Sequence, residues 1–220
     1  MQFDWRIIFI NSDNFIDATL VTYKVACLAM ISAAVLGLVL ALMKMSPILL
    51  FGWIARVYVE FFRTIPLYVF LLWSYYGLRI VTGIDLGAMT TAVFTLAISS
   101  AAYMAEIYRS GFAAIPEAQL DAGKALGLSA AQTMRFILLP QMGRVIFPMA
   151  INQFVGVIKG AALIGIIGVV DLMYFVRHET ALTFKPFEFY SVAGVIFISS
   201  TLLVASLAHY VEKLYQWEVN

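Results

Sequence analysis

The stretch EAQLDAGKALGLSAAQTMRFILLPQ, residues 117–141, lies between two runs apolar enough to sit in lipid. It is rich in small residues, carries charge, and turns at a glycine. Pro116 is suited to a helix start, because its missing N–H would be unpaired in the first turn anyway. Ala118, Ala122 and Ala125 then share one helix face, at spacings of four and three. Gly127 stands where that helix must stop, and glycine enters the left-handed C-terminal cap at little cost. Ser129 and Gln132 form a capping-box pattern that opens a second helix, which runs through RFILLP back toward the bilayer. The spacing predicts a rigid elbow over 116–140: helix, glycine corner, helix, with a small-residue face for docking. An ordinary inter-span loop needs neither two capped helices nor a stripe of alanines.

The flanking chain sets the class. Of 220 residues, 63% are hydrophobic and 12% charged, about half the charged share of a soluble domain. Several runs reach membrane-spanning length. Expected spans cover roughly 18–43, 66–81, 88–108, 137–158 and 189–210. Ala29, Ala33, Gly37 and Ala41 line one face of the first, where another helix comes close; packing within the subunit explains this better than a subunit interface. WIARVYVEFFR, with Arg56 and Glu60 four apart, suits a helix lying at the membrane surface before the second span. Residues 161–176 are apolar but short and interrupted by Asp171, so they read as re-entrant or broken. RHETALTFKPFEF reads as a polar loop. The fold class is an all-α integral membrane protein of about five spans, a single domain over 1–220.

Basic residues orient it. With the loops after spans one and three inside, that side holds Lys44, Arg56, Arg63, Arg109, Lys124, Arg135, Arg144 and Lys213. Arg6, Arg79, Arg177 and Lys185 fall outside. The excess places the N-terminus outside and the C-terminus and elbow in the cytoplasm. Were 161–176 to span fully, the count would be six and the C-terminus would lie outside. The N-terminus lacks the basic and long apolar regions of a cleavable signal.

Several chemistries find no support. A net charge of +1 gives no sign of nucleic-acid binding. The one cysteine, Cys27, excludes an internal disulfide. AGKA lacks the earlier glycine and following hydroxyl of a phosphate-binding loop, so ATP has to be handled by another chain. No G-x-S-x-G is present, and His178 and His209 stand far apart, so no catalytic or metal site is expected. The remaining candidates are charges in apolar surroundings. Lys159 is the better one for a translocation pathway, with Asn152, Gln153 and Gly156 on neighbouring turns; snorkelling to the interface is the competing reading. Gly156 and Gly160 also make a G-x-x-x-G that could bring two subunits close. Glu106 reads as structural, paired with Arg109 three residues on.

The elbow also carries a resemblance. D-A-G-x-x-x-G, nine residues, then I-x-L-P resembles the cytoplasmic signature of permease subunits of binding-protein-dependent ABC importers. FFRTIPL (61–67), AAYMAEIYRSGF (101–112), ALGLSAAQTMRFILLPQ (125–141) and PMAINQF (148–154) are similar to the polar amino acid branch, of the glutamate, aspartate, glutamine or histidine type. The resemblance covers most of the chain. It implies the type I permease fold, with Asp121, Ala122, Gly123 and Gly127 in a coupling helix seated on an ATPase. Asp121 stands where glutamate is usual and Gly123 where alanine is, which makes for a looser elbow. KGAAL (159–163) stands where the branch usually has KDTSL, so no role carries over for that aspartate, threonine and serine.

The resemblance implies a permease in the bacterial inner membrane, in contact with lipid. Its partners would be a second permease subunit, identical or paralogous, two ATP-binding cassette subunits holding ATP and magnesium, and a periplasmic or extracellular amino-acid-binding protein. This chain would bind no cofactor itself. A secondary transporter is the alternative, needing internal repeats that the halves do not display; a membrane-embedded enzyme is more remote.

Overall fold

The computed structural model describes residues 3–216; residues 1–2 and 217–220 of the expected single domain lie outside the described residues. The described chain is helical, without strands. A short helix α1 (Arg6–Ile10) leads into α2 (Ser12–Met45), α3 (Leu49–Thr64) and α4 (Leu67–Thr82). These are followed by α5 (Gly87–Ala113), α6 (Glu117–Ala125), α7 (Ala130–Ile167), α8 (Leu172–Thr183) and α9 (Pro186–Gln216). Four of them, α2, α5, α7 and α9, are each long and apolar enough to cross a membrane. The pair α3–α4 passes the same test only together, bent by 105° at Ile65–Pro66. Proline there ends one helix and opens the next, since it restricts the preceding residue to extended backbone; Ile65 has ψ 129°.

The first span is longer than its apolar run. Residues 25–43 carry no charge and are bracketed by Lys24 and Lys44, a separation of about 30 Å at 1.5 Å per residue, one hydrocarbon thickness. The turns before Lys24 continue past that boundary because they have their own apolar partners. Phe15 and Ala18 pack with Leu172, Phe175 and Val176 of α8 and with Phe189 and Ala193 of α9. The Phe15 and Phe175 rings meet edge-on at 4.9 Å.

Within the bilayer the small-residue face of α2 lies against α5. Ala29, Ala33 and Ala41 are fully buried. A Cβ added to Gly37 would fall 2.5 Å from the Met104 Cβ and 3.0 Å from the Ala101 carbonyl oxygen. The stripe is therefore spent on packing within the subunit. Gly160 is used in the same way, since a Cβ there would meet Leu67 Cδ2 at 2.8 Å and Leu96 Cδ2 at 3.1 Å. Half of the G-x-x-x-G is thus occupied inside the chain and does not serve a subunit contact. Gly156 faces open space.

Residues 161–176 form the expected break. A 3-10 turn at Ile164–Ile167 ends at Gly168 with φ +88°. Asp171, fully buried, then accepts hydrogen bonds from the Tyr174 and Met173 amides and caps α8. The buried Thr22 hydroxyl of α2 accepts from the Leu172 amide at 3.1 Å. These contacts satisfy backbone groups that lipid could not.

The polar-loop expectation for 177–189 is corrected here. The helix α8 runs on to Thr183, and α9 already begins at Pro186. Leu172, Phe175 and Val176 have the spacing of a buried helix face, and Arg177 and His178 face away from it. At the α8–α9 corner the chain's beginning is clasped: Lys185 Nζ donates to Asp4 at 2.6 Å, the Asp4 amide donates to buried Glu188 at 3.0 Å, and Phe3 lies on Phe187. The hydrogen bond from Lys185 holds the Asp4 carboxyl below its ordinary value.

Candidate functional site

The elbow forms as its residues require. α6 ends in a paired cap: the Gly127 amide donates to the Lys124 carbonyl at 2.9 Å and the Leu128 amide to the Gly123 carbonyl at 3.0 Å. This two-bond arrangement needs a left-handed residue after the helix, and Gly127 has φ +71°. Two residues on, Ser129 Oγ accepts from the Gln132 amide at 3.3 Å, and Gln132 Oε1 accepts from the Ser129 amide at 2.8 Å. Both halves of the capping box are present.

Gly123 does not loosen the elbow. It is the buried residue of α6, and a Cβ there would fall 2.8 Å from both Cγ2 and Oγ1 of Thr133. The absent side chain lets α6 close onto the start of α7. Thr133 is the residue that sequence reasoning missed; only its hydroxyl in an otherwise unremarked turn marks it. Ala118, Ala122 and Ala125 are exposed, so the alanine face is uncovered. Asp121 is exposed too, and accepts a 3.0 Å bond from Lys124 one turn on. Such an exposed i,i+3 pair contributes at most a few tenths of a kcal/mol.

The elbow hangs from a braced base. Glu106, near the end of α5, bonds Lys44 at the end of α2 and accepts from Arg109 Nε at 2.9 Å. The expected Glu106–Arg109 pair is present, and Lys44 joins it from another helix. Gly111 brings α5 against α7, where a Cβ would meet Ile146 Cγ1 at 2.5 Å. The start of α7 includes a wider, π-type turn at Met134–Leu138, so the elbow passes directly into the span.

The second candidate region lies between α4, α5 and α7. A cavity of about 220 Å³ is walled by Leu67, Leu96 and Val157 with Ser99, Ser100 and Tyr103, and by Gln153 and Gly156. Two of the four expected pathway residues, Gln153 and Gly156, are thus brought together. The other two, Asn152 and Lys159, are exposed on the neighbouring face of α7 and do not line it. Lys159 lies in the last turn of Leu139–Ala161, 15 residues beyond Arg144. Ser99 and Ser100, adjacent hydroxyls inside an apolar span, were the legible signal for this cavity. At its edge the Arg63 guanidinium lies 5.4 Å from the centre of the Tyr103 ring.

Among the described residues no group of three or more His, Cys, Asp or Glu side chains is placed to hold a metal.

Fold and elbow define an all-helical, multi-span membrane protein with a rigid corner presented beyond one end of its spans. The family model described as "Binding-protein-dependent transport system inner membrane component" matches residues 33–216, and the chain belongs to that family. The arginine transport system permease protein ArtQ of Bacillus subtilis is 34% identical over 193 residues, covering 88% of each chain. The putative glutamine transport system permease protein GlnP of Rickettsia typhi is 30% identical over 213 residues, covering 97% of this chain and 95% of that one. A crystal structure of an amino acid ABC transporter with histidines superposes with a TM-score of 0.90 at 34% identity, covering 97% and 99%. An inward-facing MetNI methionine transporter structure has a TM-score of 0.73 at 17% identity, which extends the agreement in fold alone. The expected importer permease fold is confirmed.

Proposed function

We propose that this chain is the membrane-spanning subunit of an ATP-driven importer that carries a polar amino acid across the bacterial inner membrane. The observation that carries the coupling half of this reading is the elbow. A nine-residue helix, capped at its end and packed against the next helix through Gly123, is a rigid body with an uncovered alanine face. Asp121, Ala122, Gly123 and Gly127 give it charge, smoothness, closeness and corner. A separate ATP-binding cassette subunit seats this face, and its closure moves α5 and α7 through the elbow's two ends. ATP and magnesium are held there and not by this chain.

Two permease subunits, identical or paralogous, flank the pathway on a two-fold axis, and a periplasmic or extracellular binding protein delivers the substrate. Alternating access follows as a shift between two arrangements of the spans, driven by ATP. Gln153 and Gly156 in the cavity, with Asn152 and Lys159 on the exposed side of the same helix, mark the pathway face. The amino-acid cargo is supported by the printed functions of the relatives. The elbow faces the cytoplasm and the N-terminus lies outside, as the basic residues favour. The test is uptake by vesicles reconstituted with the complex and its binding protein. Amino-acid uptake that requires internal ATP and the binding protein is the expected result. Uptake driven by an ion gradient without ATP would refute it.

A further inference from the structure

The seam between α2 and α5 is held in two different ways. Along most of it the surfaces are smooth: Ala29, Ala33 and Gly37 of α2 share buried clusters with Ala97, Ala101 and Ala105 of α5. Residue numbers rise together on both sides, so the helices run parallel and advance at about 1.5 Å per residue. At the elbow end the seam is closed by charge. Lys44, one residue before the end of α2, bonds Glu106, seven residues before the end of α5. Among the ion pairs between described residues, this is the one that joins two of the membrane-crossing helices. Gly37 lies against Ala101, Met104 and Ala105, so the backbone of Lys44, seven residues on, stands abreast of about residues 108–112. Its side chain therefore turns back into the seam by roughly a turn. A lysine at the end of a spanning helix ordinarily reaches outward to water. Here the Lys44 and Glu106 side chains are only 19% and 18% exposed.

Both partners have another place to go. Lys44 Nζ donates to Glu106 Oε1, while Arg109 Nε, one turn nearer the elbow, donates to Oε2 at 2.9 Å. Parting from Lys44 leaves the carboxylate paired with Arg109. The freed ammonium, at a helix end, reaches cytoplasmic water on its own flexible stem. Breaking a buried ion pair is strongly unfavourable when it strands a charge, and here neither charge is stranded. Alanine and glycine present few branches to resist a slide of one helix along the other, the shear by which packed helices shift. Resting on the importer reading above, we infer that Lys44 and Glu106 are positioning residues that form a latch on this seam. The latch is closed in this structure and holds α5 in register with α2. When the ATPase subunits move the elbow, which continues from α5, Glu106 keeps Arg109 and leaves Lys44, and α5 shifts along α2. The pair thus keeps the spans from rearranging before ATP and the loaded binding protein are in place.

The test uses the purified complex of this chain with its ATPase subunits in lipid nanodiscs, which leave both faces open. A water-soluble amine reagent is added, and the modified fraction of Lys44 is read by mass spectrometry at rest and with ATP trapped by vanadate. Little modification at rest and a several-fold rise on trapping are expected. Glu106→Gln is expected to make Lys44 reactive at rest as well. Equal labelling in the two states of the wild-type complex would overturn the latch. The second readout is ATP hydrolysis with and without the binding protein. Lys44→Met, alone and combined with Glu106→Gln, is expected to raise hydrolysis without the binding protein several-fold and to consume more ATP per amino acid imported. The double variant removes both charges and is expected to melt close to wild type, so lost stability does not account for its leak. Variants that only melt lower, with wild-type dependence on the binding protein, would make the pair structural and overturn the proposal. The wild-type labelling decides alone if the variants do not assemble. The importer reading fails separately, in vesicles that show no ATP-dependent amino-acid uptake.

Discussion

Gly127 isolates backbone conformation from packing. Its φ is +71°, and an added Cβ would meet nothing within 4 Å, so any side chain fits the space and only the dihedral is penalised. A non-glycine residue in the left-handed region costs about 1–2 kcal/mol, asparagine least and a β-branched residue most. The two cap bonds, to Lys124 and Gly123, depend on the same conformation. Losing them adds a fraction of about 0.5–1.5 kcal/mol each, since water replaces them at an exposed corner. Gly127→Val should therefore disfavour the capped elbow by about 2–3 kcal/mol, a population change of roughly 30- to 140-fold at 1.4 kcal/mol per tenfold. Gly127→Ala should fall between, and Gly127→Asn should stay within a few fold of wild type. Span insertion is decided by the apolar segments, so membrane levels should not change. Binding-protein-stimulated ATP hydrolysis and uptake in reconstituted vesicles, with assembly checked by co-purification, give the readout. Wild-type stimulation by the valine variant would refute the reasoning. An asparagine variant as defective as the valine one would refute it differently, by showing that any side chain, not the dihedral, does the damage.

Gly123→Ala forces a Cβ to 2.8 Å from Thr133 and should cost about 1–3 kcal/mol by overpacking. Thr133→Ala should restore stimulated ATPase activity in the double variant, and additive defects would contradict the contact. Glu106→Gln removes the charge shared by Lys44 and Arg109. With Glu106 and Lys44 each about one-fifth exposed, the loss should be about 1–2 kcal/mol, below the 3–5 of a fully buried pair. That should appear as a drop of about 2–8 °C in the melting temperature. Asp4→Asn tests the clasp at the α8–α9 corner. Because the Asp4 pKa is lowered in the fold, its contribution is complete above the ordinary value of 3.8 and is lost only as pH falls through the lowered one. The melting-temperature difference between wild type and Asp4→Asn should thus be constant from neutral pH down toward 3.8 and vanish in stronger acid.

The elbow was legible because caps are local: Gly127, Ser129 and Gln132 act on backbone groups within a few residues, and their spacing is the mechanism. The small face of α2 was legible for a similar reason, since alanine and glycine every fourth residue mean close approach whatever the partner. That the partner was α5, through Ala101 and Met104, was not in the pattern. α8 was missed because its polar residues after Val176 resemble a loop, and its apolar face is only three residues long. The meaning of Gly123 was reversed, because a glycine inside a helix reads as a weakness until Thr133 is seen against it. Gly160 misled in the same way: G-x-x-x-G announces close packing but does not say whether the neighbour is another subunit or Leu67 and Leu96 of the same chain. Lys159 stood out as a lone charge in an apolar run, but only the packed structure shows that it is exposed on α7 beside the cavity wall and not part of it. Tyr103 and Arg63 lie 40 residues apart in sequence and meet because α3 packs directly along α5.

The most direct test of the central claim is crosslinking from the exposed face of α6. With Cys27 replaced by serine, a cysteine at Ala122 is paired with a short bifunctional thiol reagent in membranes that also contain the co-expressed ATP-binding cassette subunit. A matched cysteine at Asp85, in the turn between α4 and α5 at the other end of the spans, serves as the control. The account predicts a permease–ATPase adduct from Ala122 whose yield changes when ATP is added, and none from Asp85. An adduct from Asp85 and none from Ala122 would contradict the assignment of the elbow as the coupling element.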